Sequence, residues 1–246
     1  TLVFFDEIQE CPNARTAIKF LVEDNRFDFI ESGSLLGINY KDVTSYPVGF
    51  EEEIRLYPLD FEEFLWAKGI GENVVEVLRK CYNQEKAVPD FIHKQMSKVY
   101  QEFLVIGGMP EVVVKWVATH NYSQCQEVQD DIIVSYEDDF PKYKSKVDPD
   151  LLRSVLHSAA VQCGKKFVYA DVGGYKTHAA KQALDLLYRA GILIPVTHTS
   201  ANGLPLGSEI NANKRKVIFL DCGLLLRTLN MALGDISDIT AQILTA

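Results

Sequence analysis

The chain has 246 residues, 47% of them hydrophobic and 24% charged, and carries a net charge of −9 at neutral pH. That length admits one large domain or two to three small ones, and no apolar run approaches the ~20 residues of a membrane span. The acidic balance argues against a protein that coats nucleic acid, and five scattered cysteines with no C-x-x-C pair indicate neither a disulfide framework nor a zinc site.

Thr1-Leu2-Val3-Phe4-Phe5-Asp6-Glu7-Ile8-Gln9 opens the chain. Four apolar residues in a row, then two carboxylates, predict a buried parallel strand that ends at an active-site edge. In P-loop NTPases such a strand ends in an Asp that helps to hold Mg²⁺, and a following Glu prepares the attacking water. Asp6 and Glu7 fit those two roles, although a surface turn after an ordinary strand accounts for the same residues. No signal peptide is expected, since Thr1 opens directly into a core strand, the lack of an initiator Met predicts a fragment, and the free cysteines make a reducing, cytoplasmic compartment the expectation.

Cys11-Pro12-Asn13 breaks the chain, and a helix is predicted from about Ala14 to Asp24 with Ile18, Leu21 and Val22 on one face. Phe27 to Ser32 reads as the next strand, closing in Glu31-Ser32-Gly33-Ser34. Strand, helix, strand is the pattern of a parallel α/β sheet, which binds ligands beyond the C-terminal ends of its strands. Asp6, Glu7, Ser32 and Ser34 would share that edge. Ser32 and Ser34 are candidates to touch a γ-phosphate or the attacking water, or Gly33 and its small neighbours simply let the chain turn.

Residues 46–50 and 53–57 look extended. Asp60 is the expected N-cap of a helix, with Glu62 and Glu63 at the positive end of its dipole. Helices follow near 72–84, 89–106, 110–119 and 122–140, with Gly107-Gly108-Met109-Pro110 separating two of them and Pro110 suited to a first turn. A helix near 150–162, a short strand at 167–169, a helix at 176–190 stopped by Gly191, a strand at 192–197, a polar turn and a last strand at 216–221 follow the order of a winged helix-turn-helix.

Residues 151–216 hold nine Lys and Arg against three Asp and Glu, which points to one module meeting a polyanion. On the helix at 176–190, Ala180, Ala183, Leu184, Leu187 and Ala190 form an inward stripe, with Lys176, Thr177, Lys181, Gln182 and Arg189 outside. In a helix-turn-helix the first residues of the second helix reach base edges and flanking cations meet phosphates. Tyr175, Lys176, Thr177, His178 and Lys181 are therefore nucleic-acid candidates, with Lys214, Arg215 and Lys216 near the wing. A solvated face on a protein-binding winged helix suits the same charges. No G-x-x-x-x-G-K-[ST] run occurs, and Gly173-Gly174-Tyr175-Lys176-Thr177 is a turn into a helix. The five histidines form no H-x-x-x-H pair, and Glu51-Glu52-Glu53 and Glu137-Asp138-Asp139 read as solvated charge runs.

Phe4-Phe5-Asp6-Glu7-Ile8-Gln9, Ser32-Gly33-Ser34, Tyr46-Pro47-Val48-Gly49, the segment Leu56-Tyr57-Pro58-Leu59-Asp60-Phe61-Glu62-Glu63-Phe64-Leu65, Gly107-Gly108-Met109-Pro110-Glu111 and Leu220-Asp221-Cys222-Gly223-Leu224-Leu225 occur in that order. Over residues 1 to 230 this resembles the prokaryotic AAA-like ATPases with a C-terminal domain of unknown function. The resemblance implies a P-loop core, a helical segment, a winged helix and a nuclease-like fold. It puts the Walker B acid on Asp6, the catalytic Glu on Glu7 and the sensor turn on Ser32 to Ser34. Phe50 stands where that family often has a basic residue, and the nuclease-like fold would only begin in the last 20 residues.

The expected fold is an α/β remnant of a P-loop ATPase core, then a helical segment and a winged helix-turn-helix, mixed α+β and mainly helical. The expected boundaries are 1–60 for the core, 61–147 for the helical segment, 148–230 for the winged helix and 231–246 for the start of a truncated domain. The catalytic candidates are Glu7 and Ser32, the cofactor candidates Asp6 and Ser34, and the metal candidate Asp6. ATP and Mg²⁺ belong to the full-length parent, and this chain alone is not expected to hold them tightly or to hydrolyse ATP. The alternative is a winged-helix adaptor in which the ATPase remnant is scaffold. Double-stranded DNA or a protein is the expected partner, with homo-oligomers implied by the resemblance and no membrane.

Overall fold

The computed structural model describes residues 1–33 and 49–231. The Ser34 assignment, the extended reading of 46–48 and the assignment for 232–246 lie outside the described residues. The fold is mixed, mainly helical, with a short parallel sheet near the N-terminus and a small antiparallel one further on. The chain divides into two compact units, Thr1–Leu56 with Asp185–Leu193, and Tyr57–Leu184 with Ile194–Ala246.

In the first unit, β1 (Leu2–Phe5) pairs in parallel with β2 (Asp28–Glu31), in the register Leu2↔Asp28 to Phe5↔Glu31. The crossover is α1 (Pro12–Glu23), which starts two residues before its expected point because Pro12 occupies the first turn, where its missing N–H costs nothing. Ile8 and Ile18 are buried, and the Phe5 and Phe29 rings stack at 6.0 Å. The opening strand is not buried on both faces, as its apolar run predicts. Both strands alternate exposed and half-buried, with Leu2, Phe4 and Ile30 exposed, the period-2 pattern of a sheet covered on one face.

The second unit begins with α2 (Phe61–Ala67). Asp60 caps it and Glu63 reciprocates, its carboxylate accepting the Asp60 N–H while Asp60 accepts that of Glu63, each at 2.9 Å. Helices α3 (Glu72–Asn83), α4 (Asp90–Ile106), α5 (Pro110–Thr119) and α6 (Tyr122–Asp139) follow within one or two residues of expectation. Phe64, Leu65, Val75, Met96, Ile106, Val112 and Cys125 form part of their common core. Residues 51–60 carry no ladder, and Ile54 and Leu56 are strongly exposed, so the extended look of 53–57 corresponds to irregular chain.

Next come α7 (Pro149–Val161), a 3-10 turn at Tyr169–Val172, α8 (Thr177–Arg189), β3 (Leu193–Thr199) and β4 (Ile210–Phe219), then α9 (Cys222–Thr228). Ala180, Ala183, Leu184 and Leu187 are buried on α8 as its periodicity predicts, with Ala190 half-buried. The strand expected at 167–169 is reduced to one antiparallel bridge, Lys166 to Lys216, flanked by Phe167 N–H donating to Arg215 O at 3.0 Å. The last strand starts six residues earlier than its apolar pattern indicates, in the polar run Ile210-Asn211-Ala212-Asn213.

Candidate functional site

The sheet edge is built by continuing the β1–β2 ladder past the strand ends. Ser32 N–H donates to Phe5 O at 2.8 Å, and Ile8 N–H donates back to Ser32 O at 3.0 Å. Asp6 and Glu7 are therefore looped out between two ladder bonds, facing the turn that follows β2. The loop is tight enough to force Glu7 into the left-handed region, φ 51°, ψ 47°, which few residues other than glycine adopt.

One hydroxyl joins the pieces. Ser32 Oγ donates to Asp6 Oδ1 and accepts the Glu7 backbone N–H at 3.3 Å. Three of the residues singled out in the sequence, Asp6, Glu7 and Ser32, thus meet at the C-terminal end of the parallel pair. Both carboxylates are exposed.

Two further side chains complete the edge, and sequence reasoning passed over both. Gln9, in a 3-10 turn at Ile8–Glu10, is buried and its Nε2 donates to Glu7 Oε2. Arg15 on α1 is also buried, pairing with Glu31 at 2.5 Å and with Glu51 at 3.0 Å. Burial pushes the Glu31 carboxyl above its usual value, against the pull of the Arg15 guanidinium. Arg15 thereby anchors the end of β2, one residue before Ser32. The signals available were the spacing from Glu7 to Gln9 and an Arg on the otherwise apolar side of α1. Lys19 Nζ lies 5.4 Å from the centre of the Phe50 ring, so Phe50 takes up a cation.

The donor set suits a hard cation. Mg²⁺ keeps most of its waters and is held by one or two carboxylates together with substrate phosphates. A pair of exposed adjacent carboxylates, one of them oriented by a hydroxyl, fits that requirement. No group of three or more metal-ligating side chains occurs among the described residues.

The nucleic-acid candidates lie elsewhere. Tyr175, Lys176, Thr177, His178 and Lys181 are all exposed at the N-terminal end of α8, after Gly173 and Gly174, which both take positive φ. Lys214 and Lys216 are exposed and Arg215 half-buried on β4. No described helix is long and apolar enough to cross a membrane.

A buried polar cluster stands in the core of the second unit. Asp221, 5% exposed, caps α9 by accepting the Leu224 N–H at 2.8 Å, and it also accepts the Gly108 N–H at 2.6 Å. Gln129 Nε2 donates to Val105 O and Ile106 O at 3.1 and 3.0 Å. Leu59 N–H donates to Gly108 O at 2.7 Å. Three of the sequence marks, those around Leu59, Gly108 and Asp221, are one interlocked structure. Burial raises the Asp221 carboxyl despite the backbone N–H groups around it, and pushes the Cys222 thiol up to about 12. The Cys222 thiol donates to Phe103 O at 3.5 Å, packing the start of α9 against α4.

Residues 1–65 match the AAA domain family. Residues 97–234, more than half of the chain, match the domain of unknown function DUF8612, and the interlock of Gly108 with Asp221 falls within them. Neither a curated protein nor a solved structure matches the chain. An AAA domain at 1–65 is followed by that second domain, and by the longer match the chain belongs to the DUF8612 family.

Proposed function

We propose that this chain supplies the metal-and-water side of the nucleotide site of an AAA-like ATPase, whose phosphate cradle comes from outside these 246 residues. One observation carries the reading. The Ser32 hydroxyl binds the Asp6 carboxylate and the Glu7 backbone together at the C-terminal edge of two parallel strands. The match of residues 1–65 to the AAA domain family supports it.

In this reading Asp6 holds Mg²⁺ through its water shell, and Ser32 fixes the rotamer of that carboxylate. Glu7 accepts a proton from the water that attacks the γ-phosphate. Mg²⁺, bound with ATP, would neutralise charge on the phosphate oxygens. The sequence contains no G-x-x-x-x-G-K-[ST] run, so the chain alone does not cradle a triphosphate and does not turn ATP over. The segments 61–147 and 148–230 act as a helical relay and a winged helix that carries the nucleotide state to a partner.

The experiment is Mg-ATP binding by the protein with its cradle, comparing wild type with Asp6→Asn. Affinity for Mg-ATP falls at least about tenfold while Mg-free ATP binds as before. Equal affinity for both forms in both proteins removes Asp6 from the metal site.

A second reading is favoured by one observation, the exposed run Tyr175, Lys176, Thr177, His178 and Lys181 opening α8 ahead of the β3–β4 ribbon. Here the α7-to-β4 segment is a winged helix that lays α8 against duplex DNA, with Lys214, Arg215 and Lys216 on the wing, and the ATPase remnant is scaffold. If a protein is the partner instead, the charges are a solvated face.

A further inference from the structure

The hydrogen bond from Gln9 to Glu7 has no part in the reading so far. Gln9 is 7% exposed, a polar side chain where an apolar one of the same shape would be cheaper to bury. Its Oε1 is buried with no hydrogen-bond partner among the described residues, and the bond that Gln9 makes with its side chain runs through the amide nitrogen. That Nε2 is spent on Glu7 Oε2. A carboxylate can only accept, so this pairing also settles which end of the Gln9 amide faces it. Glu7 in turn is in a left-handed turn at the N-terminus of the Ile8–Glu10 helix yet makes no capping bond with its side chain. The local backbone therefore does not claim the carboxylate, and Gln9 does.

We propose that Gln9 is a positioning residue for Glu7: its amide fixes one carboxylate oxygen and leaves the other for the proton of the attacking water. The consequence rests on the ATPase reading above, but the hydrogen bond itself does not. Ser32 holds the Glu7 backbone and Gln9 holds its side chain. The two bonds together lock a group that would otherwise swing in solvent. Misplacing a catalytic group by about 1 Å costs up to ~100-fold in rate.

Two measurements test this. The first needs no nucleotide. In the 246-residue chain, the side-chain amide protons of Gln9 exchange slowly with solvent, and Glu7→Ala makes that exchange fast. Equal exchange in both proteins overturns the proposal. The second uses the protein with its cradle. Gln9→Met keeps the buried volume and removes the donor. It lowers kcat by about 10- to 100-fold and leaves KM for ATP unchanged. Gln9→Glu, nearly the same shape but of like charge to Glu7, lowers kcat at least as far, and serves where the Met variant does not fold. An unchanged kcat in a folded variant overturns the proposal. The two failures are separable. If Glu7→Gln itself spares hydrolysis, the ATPase reading falls and the catalytic role of Gln9 falls with it. If Glu7→Gln blocks hydrolysis while Gln9→Met does not slow it, only the role of Gln9 is lost.

Discussion

The Asp221 carboxylate accepts the backbone N–H of Gly108 at 2.6 Å, across 113 residues of sequence. The same carboxylate caps α9 through Leu224, and Gly108 O receives the N–H of Leu59. A loop after α4, the chain ahead of α2 and the start of α9 are thereby held at one point in the core. The bond is buried, so its loss leaves donors that water cannot reach.

Asp221→Ala removes the acceptor for both N–H groups and the cap. Stability falls by about 3 kcal/mol, measured by urea denaturation. Asp221 also sets a pH dependence. Its folded value is raised above the ordinary 3.8, so the folded state binds this proton more tightly than the unfolded one. Its contribution to stability declines as pH rises from near 3.8 through the raised folded value, and is level above that. Asp221→Asn does not titrate. The stability difference between wild type and Asp221→Asn therefore shifts against wild type across that window. Parallel pH profiles would contradict the burial argument.

Gly108 and Gly203 form an internal contrast. A Cβ on Gly108 would lie 1.9 Å from Leu59 O, a backbone atom of the residue whose N–H is already tied to Gly108 O, whereas one on Gly203 meets nothing within 4 Å. Gly108→Ala costs about 3 kcal/mol, at the upper end of overpacking. Gly203→Ala is neutral or stabilises by about 0.5 kcal/mol, through the unfolded chain. Urea midpoints of the two variants decide this.

If α8 is a DNA-reading helix, Lys176→Glu with Lys181→Glu abolishes the shift of labelled duplex DNA at low salt, and the wild-type affinity falls steeply as salt rises. Absence of any wild-type shift at low salt assigns the surface to a protein partner instead.

The helices were legible because their signals are local. Pro12, Pro110 and Pro149 sit in first turns, Asp60, Asn121 and Asp148 cap by side chain, and the apolar period does the rest. The juxtaposition of Asp6 and Ser32 was legible too, since strand, helix, strand brings both strand ends to one edge. Phe167-Val168-Tyr169 was over-read because its β-favouring residues make only the edge of a bridge at Lys166. The first half of β4 was missed because Asn211 and Lys214 face solvent and leave no apolar alternation. Arg15 and Gln9 left only weak signals, an Arg on the apolar side of α1 and the spacing from Glu7 to Gln9. An Arg on a helix or a Gln after a strand is ordinarily exposed, and only the tertiary fold buries these two against Glu31 and Glu7. The bond from Asp221 to Gly108 was hidden for the same reason, its partner being over a hundred residues away.

In the proposed ATPase site, Glu7 accepts the proton of the water that attacks ATP. The direct measurement is single-turnover cleavage of Mg-ATP by the protein with its cradle, comparing wild type with Glu7→Gln. The account predicts that nucleotide binds with unchanged affinity and that cleavage slows at least about 100-fold. Cleavage at the wild-type rate with nucleotide bound would contradict it.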